Sequence, residues 1–178
     1  MSGKDYLGKV KGERSLLERI MGYVPGYHGY KEKELRRESD RLVRMEAVNR
    51  LKVAKTSIRR AFANPVMVQK LSQEDAYRYD ALNSRLDRVT QRVDRAVAGY
   101  AGMFDAVKVK EDKLDTVIQH DVGLIEKAEA IKTDCENLVK VQPGNDDWGT
   151  AMDALISKVE EYDSLIDERS HILRGLGA

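Results

Sequence analysis

Residues 79–138 read YDALNSRLDRVTQRVDRAVAGYAGMFDAVKVKEDKLDTVIQHDVGLIEKAEAIKTDCENL, and one heptad register runs through all of them. Every seventh position from Tyr79 gives Tyr79, Leu86, Val93, Tyr100, Val107, Leu114, Asp121, Ala128 and Cys135. Three residues on, the companion series is Leu82, Val89, Ala96, Met103, Lys110, Val117, Leu124, Ile131 and Leu138. Sixteen of these eighteen positions are apolar or aromatic, and only Lys110 and Asp121 interrupt them. An apolar residue about every 3.5 positions is the seam of helices wound on helices. Gly99 and Gly102 are the one plausible break, and a glycine inside a helix costs only about 1 kcal/mol relative to alanine. A loop would keep the heptad frame by chance in about one case in seven. The register therefore predicts one helix over about 73–141, roughly 100 Å long at 1.5 Å per residue, in preference to a hairpin.

Downstream, Val141-Gln-Pro-Gly-Asn145 is a turn, and Asn145 or Asp146 can cap a last helix over about 146–174. Its seam is Trp148, Met152, Leu155, Val159, Tyr162, Ile166, Arg169 and Leu173. This helix matches the stretch from Leu114 to Val141 in length and should fold antiparallel to it. Upstream, Ser72-Gln-Glu-Asp75 has the pattern of a capped helix start, and Asn64-Pro65 ends the helix before it. That earlier helix, about 31–63, has the seam Leu35, Leu42, Met45, Val48, Leu51, Ile58 and Phe62. The fold class expected is all-α, an elongated antiparallel bundle or coiled coil whose central helix is flanked by the other two. Residues 31–178 would form this helical domain, preceded by a separate segment over 1–30.

That N-terminal segment holds a short amphipathic helix, with Leu16, Leu17, Ile20 and Met21 on one face. A helix this short is unstable alone and needs a receiver: the rest of the chain, a partner groove, or an anionic membrane surface favoured by Lys9, Lys11, Arg14 and Arg19. Next, Gly22-Tyr-Val-Pro-Gly-Tyr-His-Gly-Tyr30 prescribes tight turns and carries Tyr23, Tyr27 and Tyr30. The rings could plug the end of the helical core, or could dock a partner or stack on bases.

The whole chain has 178 residues, 34% of them charged and 6% aromatic, which suits solvent-washed helices with a narrow seam. The net charge of +1 hides an asymmetry: residues 1–60 carry 16 Lys/Arg against 8 Asp/Glu, while 61–178 carry 15 against 22. The basic part could meet phosphate, or the two parts could attract head to tail. The single Cys135 excludes an internal disulfide and falls on a seam position, as a reduced core thiol would. No apolar run reaches the ~20 residues of a membrane span, and residues 1–17 lack the apolar block of a secretory signal. The location expected is the cytoplasm, with a peripheral membrane position left open by the N-terminal helix.

The segment PGYHGYKEKELRRESDRLVR, residues 25–44, resembles the N-terminal signature GYKxKExRRExD of uncharacterised prokaryotic helical proteins. The likeness covers about twenty residues and implies a recurring unit of Gly/Tyr turn and charged first helical turns. It carries no activity, cofactor or catalytic residue with it. It does direct attention to that unit as an interaction surface, with Tyr23, Tyr27, Tyr30, Arg36, Arg37, Arg41 and Arg44 as partner-binding candidates. Arginine offers carboxylate or phosphate a planar fork that lysine lacks. Coiled membrane-remodelling proteins of the phage-shock type share the general outline, without residue correspondence.

Motifs for catalysis are wanting. Glu168-Arg-Ser-His171 has the Glu-x-x-His spacing of di-iron bundles, but that chemistry needs a second such motif and further glutamates. No phosphate-binding glycine loop opens a helix. Lys110 and Asp121 should each meet an opposite charge from a neighbouring helix or lie at a water-reached gap, and as register-setting devices they could also choose the partner or oligomer state. The expectation is a non-enzymatic structural or adaptor protein without cofactor, metal or small-molecule substrate. It would self-associate or dock another protein through helical seams, with an anionic membrane as a further possible partner. The alternative is nucleic-acid binding through the basic helix 31–60 and the tyrosine loop.

Overall fold

The computed structural model describes residues 16–96 and 111–175, and nearly all of them are helical. A short helix α1 spans 16–23. It is followed by α2 (Lys33–Phe62), the single turn α3 (Pro65–Val68), α4 (Gln73–Arg95), α5 (Glu111–Leu138) and α6 (Asp146–Arg174). The chain is an all-α helical bundle, as its periodicity predicts.

Local chemistry sets the helix ends. Ser72 Oγ accepts from the Asp75 amide at 3.0 Å while the Asp75 carboxylate reaches back to the Ser72 amide, a reciprocal cap that starts α4. Asn145 Oδ1 accepts from the Trp148 amide at 2.7 Å and starts α6. Gly144 carries φ +88°, and a Cβ there would lie 2.8 Å from the Lys70 carbonyl oxygen, so the α5–α6 turn can press on the α3–α4 connection only with glycine.

Ion pairs reveal the helix directions. Arg78–Asp153, Arg85–Glu160, Arg88–Asp163 and Arg92–Asp167 all join residues 75 apart, so α4 and α6 run parallel. Arg50 of α2 meets Glu129 of α5 at 2.7 Å, and Lys55 of α2 meets Asp87 of α4 at 2.5 Å. With Arg44 bonded to the Asp94 carbonyl, these place α2 parallel to α5 and antiparallel to α4. Lys158–Asp134 and Arg169–Asp121 make α5 and α6 antiparallel. Round the bundle the order is α2, α4, α6, α5, with α2 diagonal to α6 and α4 diagonal to α5.

One continuous helix over 73–141 is therefore corrected. Helices α4 and α5 are separate elements that run in opposite directions. The heptad frame misleads because each helix keeps its own seam and the connection happens to preserve the phase. Leu82, Leu86, Val89 and Val93 in α4, and Val117, Leu124, Ala128, Ile131, Cys135 and Leu138 in α5, are all buried as the register requires. Gly99, Gly102 and Lys110 lie outside the described residues. Instead of a rod of ~100 Å the bundle is about 45 Å long, the length of its 29- and 30-residue helices.

The α1 face does not wait for an outside receiver. Ile20 is fully buried and Leu16 and Leu17 pack on the core, together with Val24, Tyr27 and Tyr30, so residues 16–30 share one core with the later helices. This corrects Leu16, Leu17 and Ile20 as a membrane or partner-groove surface; only Met21 of that set stays exposed.

Two measurements check this architecture. Small-angle scattering should give a radius of gyration near that of a compact domain of this size, about 16 Å; a value of ~25 Å or more would restore the rod. Leu124→Ala and Leu155→Ala, at two fully packed positions, should each cost about 2–5 kcal/mol in urea unfolding, and losses below about 0.5 kcal/mol at both would refute the packing.

Candidate functional site

At the end of the bundle where α2 and α5 begin and α6 finishes, four elements meet at a buried guanidinium. Arg169 occupies a seam position of α6 and is 3% exposed. Its Nε donates to Asp121 Oδ1 at 3.0 Å, one terminal nitrogen to Asp40 Oδ1 at 2.7 Å, and the other to the Tyr30 hydroxyl at 3.0 Å. Asp40 also accepts from Arg44 Nε at 2.9 Å, and Arg44 in turn donates to the Asp94 carbonyl at 3.0 Å. Two arginines thus face two aspartates inside the protein.

The glycine-rich turn exists in this structure to deliver the tyrosines. Gly26 and Gly29 have φ +85° and +73°, a left-handed conformation that side chains disfavour. The turns they permit swing Tyr27 and Tyr30 inward, where both hydroxyls donate to Asp121 Oδ2, at 3.1 and 2.9 Å. The rings meet edge to face with centroids 6.3 Å apart. Arg36 Nε closes the loop by donating to the Tyr30 carbonyl at 2.8 Å.

Electrostatics follow from burial. Loss of water pushes the Asp121 carboxyl up, while Arg169 and the Tyr30 hydroxyl pull it back. Its three donors fit an ionised carboxylate. Burial and the Asp121 charge hold both phenols well above the ordinary tyrosine range. Arg169 is likewise held well above its ordinary value: burial opposes its charge, but Asp121, Tyr30 and Asp40 outweigh that. Beside them His120 is buried, and burial with the Arg169 charge lowers its pKa, which keeps the imidazole neutral. Its Nε2 lies 3.6 Å from Glu168, beyond a hydrogen bond, and neither ring nitrogen has a partner among the described residues. Chemically the cluster is a closed lock, in which the Tyr27 and Tyr30 phenols, the Asp40 and Asp121 carboxylates and the Arg169 guanidinium are spent on one another.

These positions correct part of the expected partner surface. Tyr27, Tyr30, Arg36 and Arg44 are buried and bonded within the chain, so they offer nothing outward. Tyr23 is half-buried, donating to Glu126 at 3.2 Å with the Arg50 guanidinium 5.2 Å above its ring. Arg37 and Arg41 remain exposed, Arg41 in a two-point bond to Glu38. Asp121 does meet the opposite charge expected of it. Asp40 and the role of Arg169 escape a reading of α2 and α6 alone. Two opposite charges on the seams of helices set antiparallel about the turn at 143–144 were nevertheless a signal that Asp121 and Arg169 should meet.

Elsewhere the chemistry is sparse. Cys135 is buried and its thiol is pushed up to about 12, mainly by burial. Glu168 and His171 are both exposed, and among the described residues no group of three or more His, Cys, Asp or Glu is placed to hold a metal. Among them, too, no helix is long and apolar enough to cross a membrane. No known family, curated protein or solved structure matches the chain.

The lock predicts a particular stability pattern. Arg169→Met leaves two buried carboxylates facing an apolar chain and should cost about 3–5 kcal/mol. Arg41→Gln on the exposed face should change stability by less than about 0.5 kcal/mol. Urea melts of the two variants check this, and a loss under about 1 kcal/mol for Arg169→Met would mean that the network is not sealed.

Proposed function

We propose that the protein is a non-enzymatic structural or adaptor bundle that acts by docking a protein, another copy of itself included, on its outer helix faces. The observation that carries this reading is the outer face of α2. Met45 and Val53, each 46% exposed, lie on the solvent side of α2, and Arg37, Arg41, Lys52 and Arg60 are exposed on the same helix. A mixed apolar and arginine-rich face has the composition of a protein contact, in which apolar side chains bind and cations set orientation. Val66 and Val68 on α3, with Tyr77 at 76% exposure on α4, add apolar surface toward the opposite end of the bundle. Arg169, Asp40, Asp121, Tyr27 and Tyr30 are enclosed and mutually bonded, and His120 and Cys135 are buried, which speaks against catalysis.

Nucleic-acid binding draws less from the geometry. Arg44 is buried, Arg50 is bound to Glu46 and Glu129, and Lys55 and Arg59 both bind Asp87. Much of the α2 charge is thereby neutralised inside the molecule. A peripheral membrane role loses the apolar face of α1, which is turned inward.

Sedimentation of the full chain alone, with anionic vesicles, and with single- and double-stranded DNA separates these readings. Self-association that weakens in the double variant Met45→Ser/Val53→Ser, with the melt unchanged within about 0.5 kcal/mol, is the result expected. A chain that stays monomeric but binds DNA with a steep inverse salt dependence would replace this reading with the nucleic-acid one.

A further inference from the structure

The order of helices puts the most basic helix and an acidic one at opposite corners. Helix α2 holds 10 Lys/Arg against 4 Asp/Glu, and α6 holds 3 against 8. Along the solvent side of α6, Ala154, Ser157, Glu161, Ser164 and Glu168 recur at helical spacing and are all exposed. The Ser157 and Ser164 hydroxyls bond back to the Asp153 and Glu160 carbonyls, at 3.0 and 3.4 Å, so Ala154, Ser157 and Ser164 leave the ridge low on either side of Glu161. Glu161 is its central charge and has no ion pair among the described residues.

The opposite corner carries a groove with cations of the complementary charge. Between α2 and α5 an open groove of about 650 Å³ is lined by Val53, Thr56, Ser57 and Ala61, with Glu136 and Val139 on the far wall. Lys52 and Arg60 stand at its rim, two helical turns apart, and neither has an ion pair among the described residues. A ridge of small residues lets a second helix approach closely, and a carboxylate at its middle falls between two cations.

We propose that the Ala154–Glu168 face of α6 in one copy seats in the α2–α5 groove of a second copy, with Glu161 between Lys52 and Arg60. The proposal rests on the docking reading above and names its partner. Ridge and groove lie on opposite corners, so the contact is heterologous: each copy offers a free ridge and a free groove, and copies add one after another instead of closing as a pair. One helix face in one groove is a small interface, of micromolar rather than nanomolar strength.

Charge exchange tests it. The variant Lys52→Glu/Arg60→Glu reverses the groove and leaves the ridge; Glu161→Lys reverses the ridge and leaves the groove. All three positions are exposed, and circular dichroism melts matching the parent show that each variant folds. Light scattering at up to about 0.2 mM protein, well above the expected dissociation range, should show the parent growing beyond a dimer and shrinking as salt rises from about 50 to about 500 mM. Each variant alone should associate at least about tenfold more weakly. An equal mixture should recover association, because both the natural and the exchanged contact are then available in alternation. A parent that associates while the mixture stays monomeric overturns this contact and leaves the docking reading in place. A parent that is monomeric throughout overturns the contact as well. Loss of DNA or vesicle binding in the groove variant, without recovery in the mixture, would assign Lys52 and Arg60 to an external anion.

Discussion

Arg169 is the constraint on which the rest of the bundle depends. A guanidinium stripped of water costs several kcal/mol unless its donors are met and its charge is balanced. Here the acceptors come from α2 as Asp40, from α5 as Asp121 and from the turn after α1 as Tyr30. Apolar seams tolerate sliding, because one leucine replaces another a heptad later. A charge with three fixed acceptors does not. Moving α6 by one heptad, about 10 Å, would leave Arg169 among aliphatic side chains and Asp121 without an opposite charge, while Asp40 would keep only Arg44. The network thus fixes register and helix order more than it adds to stability, the use for which buried polar groups in helical bundles are best attested.

The glycine turn and the buried charges explain each other. Asp121 on the α5 seam would be intolerable facing only Arg169 across an apolar gap, since it can accept more bonds than one arginine supplies. The two phenols fill the remaining acceptor sites and place apolar rings between the charges and water. They can arrive only through a backbone that twice adopts positive φ, hence Gly26 and Gly29. The richness of glycine and tyrosine between 22 and 30, which in sequence suggests an external partner, is thus required by an aspartate nearly a hundred residues later. Local sequence reveals that a segment is costly without revealing what the cost secures.

Legibility follows the same division. The start of α6 after Asn145, the start of α4 at Ser72 and the end of α2 before Asn64-Pro65 were readable because capping is local chemistry. Seam residues of α4, α5 and α6 were readable because periodicity is local too, whereas on α2 Met45, read as a seam position, is exposed and Val43, Ala47 and Ala54 are buried in its place. The reversal between α4 and α5 was not readable. Asn64-Pro65 and Pro143-Gly144 mark the other two ends, but no proline marks this one, and the helices on either side stay in phase. What decides the reversal is non-local: α4 supplies arginines at the spacing of the α6 carboxylates, and only a parallel α4 can meet them.

That α4–α6 ladder also governs what the molecule can show to its surroundings. Each exposed pair in it contributes little, about 0–1 kcal/mol, yet collectively the ladder settles which helices are neighbours. Helix α4 carries equal numbers of acids and bases, and it stands between α2 and α6 together with α5. Had α6 packed directly on α2, the acids of one would have neutralised the bases of the other within a single copy. With the two on the diagonal they cannot reach each other except through Arg169 at one end. Cations of α2 that face inward are absorbed by Asp87 and Glu129, and acids of α6 that face α4 are absorbed by its arginines. The remainder, Lys52 and Arg60 on one corner and Glu161 on the other, points outward because the topology leaves it nowhere else to go. A bundle ordered this way keeps its net charge near zero while remaining charged in opposite senses on opposite corners.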